Sequence, residues 1–157
     1  MQKITPCLWF DGRAEEAADF YVSVFKNSRI VSTTYFPEGS PRPAGSVMTV
    51  EFVLDGEEYL ALDGGPEFTF SPAVSFMAHC DTQEEVDELW EKLTDGGQEG
   101  QCGWLTDKFG VSWQVVPRAL NGLLGGSDAA AARRAVTAML GMKKLDIGEL
   151  QRAYDNA

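Results

Sequence analysis

The 157 residues carry 24 acidic against 13 basic side chains, for a formal charge of −11 at pH 7, and 44% of them are hydrophobic. This length suits one domain with one substantial core, and the composition excludes disorder and fibrous repeats. No lysine- or arginine-rich run is present to neutralise phosphates, which argues against nucleic acid as a partner.

In chain order, residues 4–10 form a short β-like run that ends at Asp11-Gly12, and residues 13–25 place Ala14, Ala17, Ala18, Tyr21 and Phe25 on one helical stripe. Residues 28–36 are again β-rich. The proline-rich stretch 37–43 reads as loop, and residues 46–54 and 57–62 read as two strands joined by an Asp55-Gly56 hairpin turn. A similar order follows: strand at 73–80, helix at 82–93, a glycine-rich link at 96–100 and a hairpin over 102–116. Thr82 with Glu85 forms a capping box that starts the second helix. Beyond residue 118, Asn121-Gly122 and Gly125-Gly126 are expected to break the chain. Ser127 or Asp128 then caps an alanine-rich helix to about Leu140, and another short helix begins near Asp146. The apolar surface of Val136, Met139, Leu140, Leu145, Ile147 and Leu150 must pack either on its own subunit or on a second one.

The two halves repeat. Glu15-Glu16 with Phe20-Tyr21 aligns with Glu84-Glu85 and Leu89-Trp90, and that spacing carries Pro6 onto Ser75; Gly56 with Tyr59 aligns with Gly110 and Trp113, and that spacing carries Leu60 onto Gln114. The expected fold is α+β, with two βαβββ modules, at residues 1–66 and 73–118, and a helical tail at 119–157, in one domain. Residues 1–10 lack the apolar core of a signal peptide, and no stretch has the length of a bilayer span, so no membrane is expected and the cytoplasm is the expected location. Cys7, Cys80 and Cys102, an odd number without paired spacing, read as reduced thiols.

The residues from Ile4-Thr5-Pro6-Cys7-Leu8-Trp9-Phe10-Asp11-Gly12 into Glu15-Glu16-Ala17 and Phe20-Tyr21 resemble the start of PhnB-like proteins. The likeness continues through Ala61-Leu62-Asp63-Gly64-Gly65-Pro66, Gln83-Glu84-Glu85-Val86-Asp87, Cys102-Gly103-Trp104-Leu105-Thr106-Asp107-Lys108-Phe109-Gly110 and Ser112-Trp113-Gln114; the tail, with Ala138-Met139-Leu140 and 142–147, is similar to an extension in one branch. The resemblance implies the vicinal-oxygen-chelate superfamily, of glyoxalase/bleomycin-resistance type, in which the modules form a pair of half-barrels around a small-molecule cavity. Relatives in this branch are labelled 3-demethylubiquinone 3-methyltransferase-like. Methyl transfer is not expected, because no strand, glycine-rich loop and helix of the methyl-donor type occur in the chain.

Metal-using members of that superfamily draw their ligands from the first and last strands of each module. The repeat puts Pro6, Ser75, Leu60 and Gln114 at those positions, and this set cannot hold a divalent ion, so no metal and no cofactor are expected. Cys7, Asp63 and His79 are the fallback ligands if the register slips. The expected pocket is a mostly apolar wall of Leu8, Phe10, Leu60, Leu62, Ser75, Met77, His79, Ser112, Gln114 and Val116, with Ser75 and Gln114 orienting a small apolar or aromatic ligand. Trp104 and Trp113 are read as core, and Asp107-Lys108 as a solvated turn pair. The expected function is binding without chemistry in a homodimer, which would cover edge strands and the apolar tail. The alternatives are a metal-dependent lyase, isomerase or dioxygenase of the same fold, and a protein-binding role for the tail.

Overall fold

A computed structural model describes residues 2–156, and the chain divides into two compact units, one ending at Phe70 and the other beginning at Ser71. The first unit runs β1 (Cys7–Phe10), α1 (Ala14–Val24), β2 (Arg29–Tyr35), β3 (Val47–Leu54) and β4 (Glu57–Asp63). Its sheet has the order β1-β4-β3-β2, with β1 parallel to β4 and the other pairs antiparallel. Asp55 and Gly56 both take positive φ, as a tight hairpin between β3 and β4 requires.

Small residues bring α1 close to the sheet. Ala14, Ala17 and Ala18 are fully buried, and Tyr21 stacks on Phe52, which stacks in turn on Tyr59. Arg13, at the N-cap of α1, makes no side-chain cap; Asp63 at the end of β4 supplies the carboxylate that accepts from the Ala14 backbone N–H at 2.9 Å. A distant strand therefore caps this helix.

The second unit repeats the order with β5 (Ser75–Cys80), α2 (Gln83–Thr94), β6 (Gln98–Glu99), β7 (Trp104–Thr106) and β8 (Ser112–Pro117), in the sheet order β5-β8-β7-β6. The expected glycine-rich link contains β6, a strand of two residues that is too short for a periodicity signal. Thr82 caps α2 through the Glu85 N–H, and Glu85 bonds back to the N–H of Asp81, one residue before the N-cap.

The tail holds α3 (Ala119–Leu124), α4 (Ala129–Leu140) and α5 (Ile147–Asp155). Asn121 and Gly122 do not break the chain: they lie inside α3, whose Leu120 and Leu123 are buried, and the helix stops at Gly125. Asp128 and Asp146 cap α4 and α5. The tail packs on its own unit, where Leu120, Leu123, Ala135, Leu145 and Leu150 form one buried cluster with Val116 of β8. Gln83 in the first turn of α2 fastens it further, donating to the Leu145 carbonyl and accepting from the Ile147 N–H. Cys102 and Gly103 donate to the Met142 and Lys143 carbonyls, and Lys144 pairs with Asp87.

Candidate functional site

Each sheet has one face covered by its own helix, and paired residues in a ladder share a face. In the second unit, α2 covers the face of Ala78, Cys80, Trp113 and Val115. The opposite face carries Ser75, Met77 and His79 from β5, Ser112, Gln114 and Val116 from β8, and Trp104 and Thr106 from β7. Ser75 lies opposite Ser112 and Met77 opposite Gln114, and the Gln114 side-chain amide donates to the Ser75 hydroxyl at 3.0 Å. Met77 is half exposed and His79 exposed, so this surface offers a thioether, an amide, a hydroxyl and an imidazole together. Val116 leaves the expected wall, because the tail cluster buries it.

The first unit requires a correction. Cys7 pairs with Leu60, Leu8 with Ala61, Trp9 with Leu62 and Phe10 with Asp63. Leu8 and Phe10 therefore share the helix-covered face with Ala61 and Asp63, where both are buried, and cannot stand on one wall with Leu60 and Leu62. The uncovered face instead holds a row of Cys7, Leu60, Glu51 and Ser32, and beside it a row of Trp9, Leu62, Thr49 and Thr34. The cause is a one-residue difference between the modules. The helices repeat on the spacing of the aligned motifs, with Tyr21 matching Trp90, whereas the first strands are one residue out, with buried Leu8 matching buried Ala78 and not Met77. A one-residue slip exchanges the faces of a strand.

The same register separates two of the fallback ligands, since Asp63 faces α1 and Cys7 lies on the opposite face. Among the described residues no group of three or more His, Cys, Asp or Glu side chains could hold a metal ion, so these residues do not fit a divalent metal. Two of the thiols, Cys80 and Cys7, are held towards the protonated, less nucleophilic form. Desolvation, followed by the nearby Glu85 carboxylate, pushes Cys80 up to about 12, and desolvation also raises Cys7.

Asp107 is not solvated. It is 2% exposed and accepts from the backbone N–H groups of Phe109 and Val111 and from the Trp113 indole at 2.9 Å, so it closes the β7–β8 turn and anchors the core. Trp113 is core, whereas Trp104 is half-buried on the uncovered face, opposite Gln114. Trp9, Glu51, Ser32, Thr34 and Thr49 were absent from the expected site. Counting back from the Asp55-Gly56 turn pairs Leu54 with Glu57 and hence Glu51 with Leu60, so that signal was present in the chain.

The hollow outside α2, lined by Glu88, Glu91, Lys92 and Asp95, has only charged walls. No helix among the described residues is long and apolar enough to cross a membrane.

Comparison with known proteins agrees with this architecture. The family model described as 3-demethylubiquinone-9 3-methyltransferase matches residues 2–116. No curated protein matches the chain. The solved PhnB protein of Bacillus cereus is 41% identical with a TM-score of 0.69, and the match covers 74% of this chain and 99% of that one. Protein PA1353 of Pseudomonas aeruginosa is 25% identical with a TM-score of 0.63, covering 74% and 98%. The fosfomycin resistance protein FosX of Listeria monocytogenes, at 15% identity, a TM-score of 0.53 and coverage of 73% and 92%, shares the fold alone. The two mixed four-stranded sheets with their helices are thus the α+β fold of the glyoxalase/bleomycin-resistance type. Methyltransferase is a family label here, since neither unit has the doubly wound parallel sheet with a glycine-rich first turn that methyl-donor binding uses. The chain belongs to the PhnB-like 3-demethylubiquinone-9 3-methyltransferase family within the vicinal-oxygen-chelate superfamily.

Proposed function

We propose that this protein binds small apolar or aromatic molecules on the uncovered face of each sheet, without a metal and without turning them over. The observation that carries the reading is the Gln114–Ser75 hydrogen bond on a face that also presents Met77 and Trp104. A few fixed polar groups set among apolar side chains are what a small-molecule site needs. The proposal includes a homodimer, supported by the exposed Ile30, Val31 and Tyr35 of the edge strand β2. It treats both units as one domain, supported by the single family model that runs across them. It places the chain in a reducing cytoplasm, supported by three free cysteines.

Native mass spectrometry of untagged protein purified without chelator tests this reading. The expected spectrum is a dimer without divalent metal, carrying a co-purified organic compound or taking one up on titration. One metal ion per subunit, or conversion of a bound compound into product, overturns it in favour of a metal-dependent enzyme of the same fold.

A further inference from the structure

The uncovered face of the first unit is divided chemically. On the β1 and β4 side stand Cys7, Trp9, Leu60 and Leu62, and on the β3 and β2 side Glu51, Ser32, Thr49 and Thr34. The Ser32 hydroxyl donates to the Glu51 carboxylate at 3.2 Å, and the Thr34 and Thr49 hydroxyls bond to each other at 2.5 Å. These contacts show that the polar side chains project from the same face. Trp9 is fixed, because its indole N–H donates to the Gly65 carbonyl and its ring meets Phe68 edge-on at 5.1 Å.

An exposed glutamate on a sheet is ordinary, but here it stands next to Leu60, about one strand spacing, roughly 4.8 Å, from an apolar row. Among the described residues its carboxylate meets no basic side chain within ion-pair distance, and Arg29, further along β2, forms no ion pair with it. The carboxylate is thus available for a cation from outside the chain, in a protein whose charge of −11 draws cations towards it.

We infer that this face selects a small organic cation, with the aromatic or aliphatic body over Leu60, Leu62 and Trp9 and the ammonium group on Glu51. The inference rests on the proposed binding function and adds a ligand class to it. A neutral or anionic molecule of the same shape gains the apolar contact but not the charge-assisted hydrogen bond.

The test is titration by NMR with three probes that share the phenylethyl group: 2-phenylethylamine, 2-phenylethanol and 3-phenylpropionate. The expected result is that the amine binds at least about tenfold more tightly than the alcohol, with the carboxylate weakest, a difference that one charge-assisted contact supports. Glu51→Gln should bring amine and alcohol within about twofold while the alcohol binds as before. Glu91→Gln, which removes an exposed charge on α2, should change nothing. Equal binding of amine and alcohol to the unaltered protein, an amine preference that survives Glu51→Gln, or an equal loss in Glu91→Gln overturns the cation assignment and leaves the binding surface standing. No binding of any probe counts against the binding surface itself, and the cation assignment falls with it.

Discussion

The backbone N–H groups of Phe109 and Val111 and the Trp113 indole all donate to Asp107, whose side chain is almost wholly shielded from solvent. Asp107→Ala is expected to destabilise the protein by about 2–4 kcal/mol, since it removes three charge-assisted hydrogen bonds from a largely buried turn. Denaturant unfolding measures this, and an unchanged midpoint would contradict the anchoring role. A turn carboxylate is usually solvated, and what distinguishes this one is a partner six residues away across the hairpin, so local composition did not reveal it. Ser75, Met77 and Gln114 were legible because strand alternation alone places them on one face. Leu8 and Phe10 were misplaced because their register depends on a one-residue difference in the link between the first strand and its helix, which motif alignment on the helix cannot detect.

At the scale of elements, order and type followed from turn residues, caps and periodicity, as the Asp55-Gly56 hairpin and the caps at Thr82, Asp128 and Asp146 show. What failed was short or locally contradictory: β6 has two residues, and α3 carries Asn121-Gly122 because Leu120 and Leu123 find a core that outweighs the poor helix propensity. The clasp between α2 and the tail gives an element-scale prediction. The Lys144 ammonium and the Gln83 amide both hydrogen-bond to Asp87 and hold its carboxyl below the usual aspartate range. A lowered folded pKa means that the contribution is complete above the ordinary value of 3.8 and is lost as pH falls through the lower folded value. Hydrogen exchange at the Ile147 amide, which donates to Gln83, reports the clasp. Asp87→Asn should reduce protection at neutral pH, and the variant and the unaltered protein should converge once the pH has fallen below the lowered folded pKa, where both are uncharged at this position. A difference that persists at that pH would show that charge is not what holds the clasp.

For the whole molecule, the matches to the B. cereus and P. aeruginosa proteins cover nearly all of those chains but 74% of this one, and the family model stops at residue 116. The three tail helices are therefore an addition to the family core, and the second unit is fitted to them. Gly103 sits at φ +85, where a Cβ would come within 2.9 Å of the Val115 carbonyl and 3.1 Å of Leu145. Gly103→Ala should accordingly lower the thermal midpoint, because it strains the backbone and displaces Leu145 from its seat. Removing residues 118–157 should lower it further, since Val116 returns to water and each large apolar side chain so exposed costs about 1.5–3 kcal/mol. At this chain length each kcal/mol corresponds to roughly 2–4 °C. The two changes should not be additive, because without Leu145 in place the alanine at position 103 loses one of its two clashes. Ser75 and Gln114 hold each other within the sheet, so ligand binding on that face should survive truncation even as the midpoint falls. A truncated protein that melts unchanged would mean the tail is attached without supporting the fold. Loss of binding from an otherwise folded truncated protein would place the tail in the site itself.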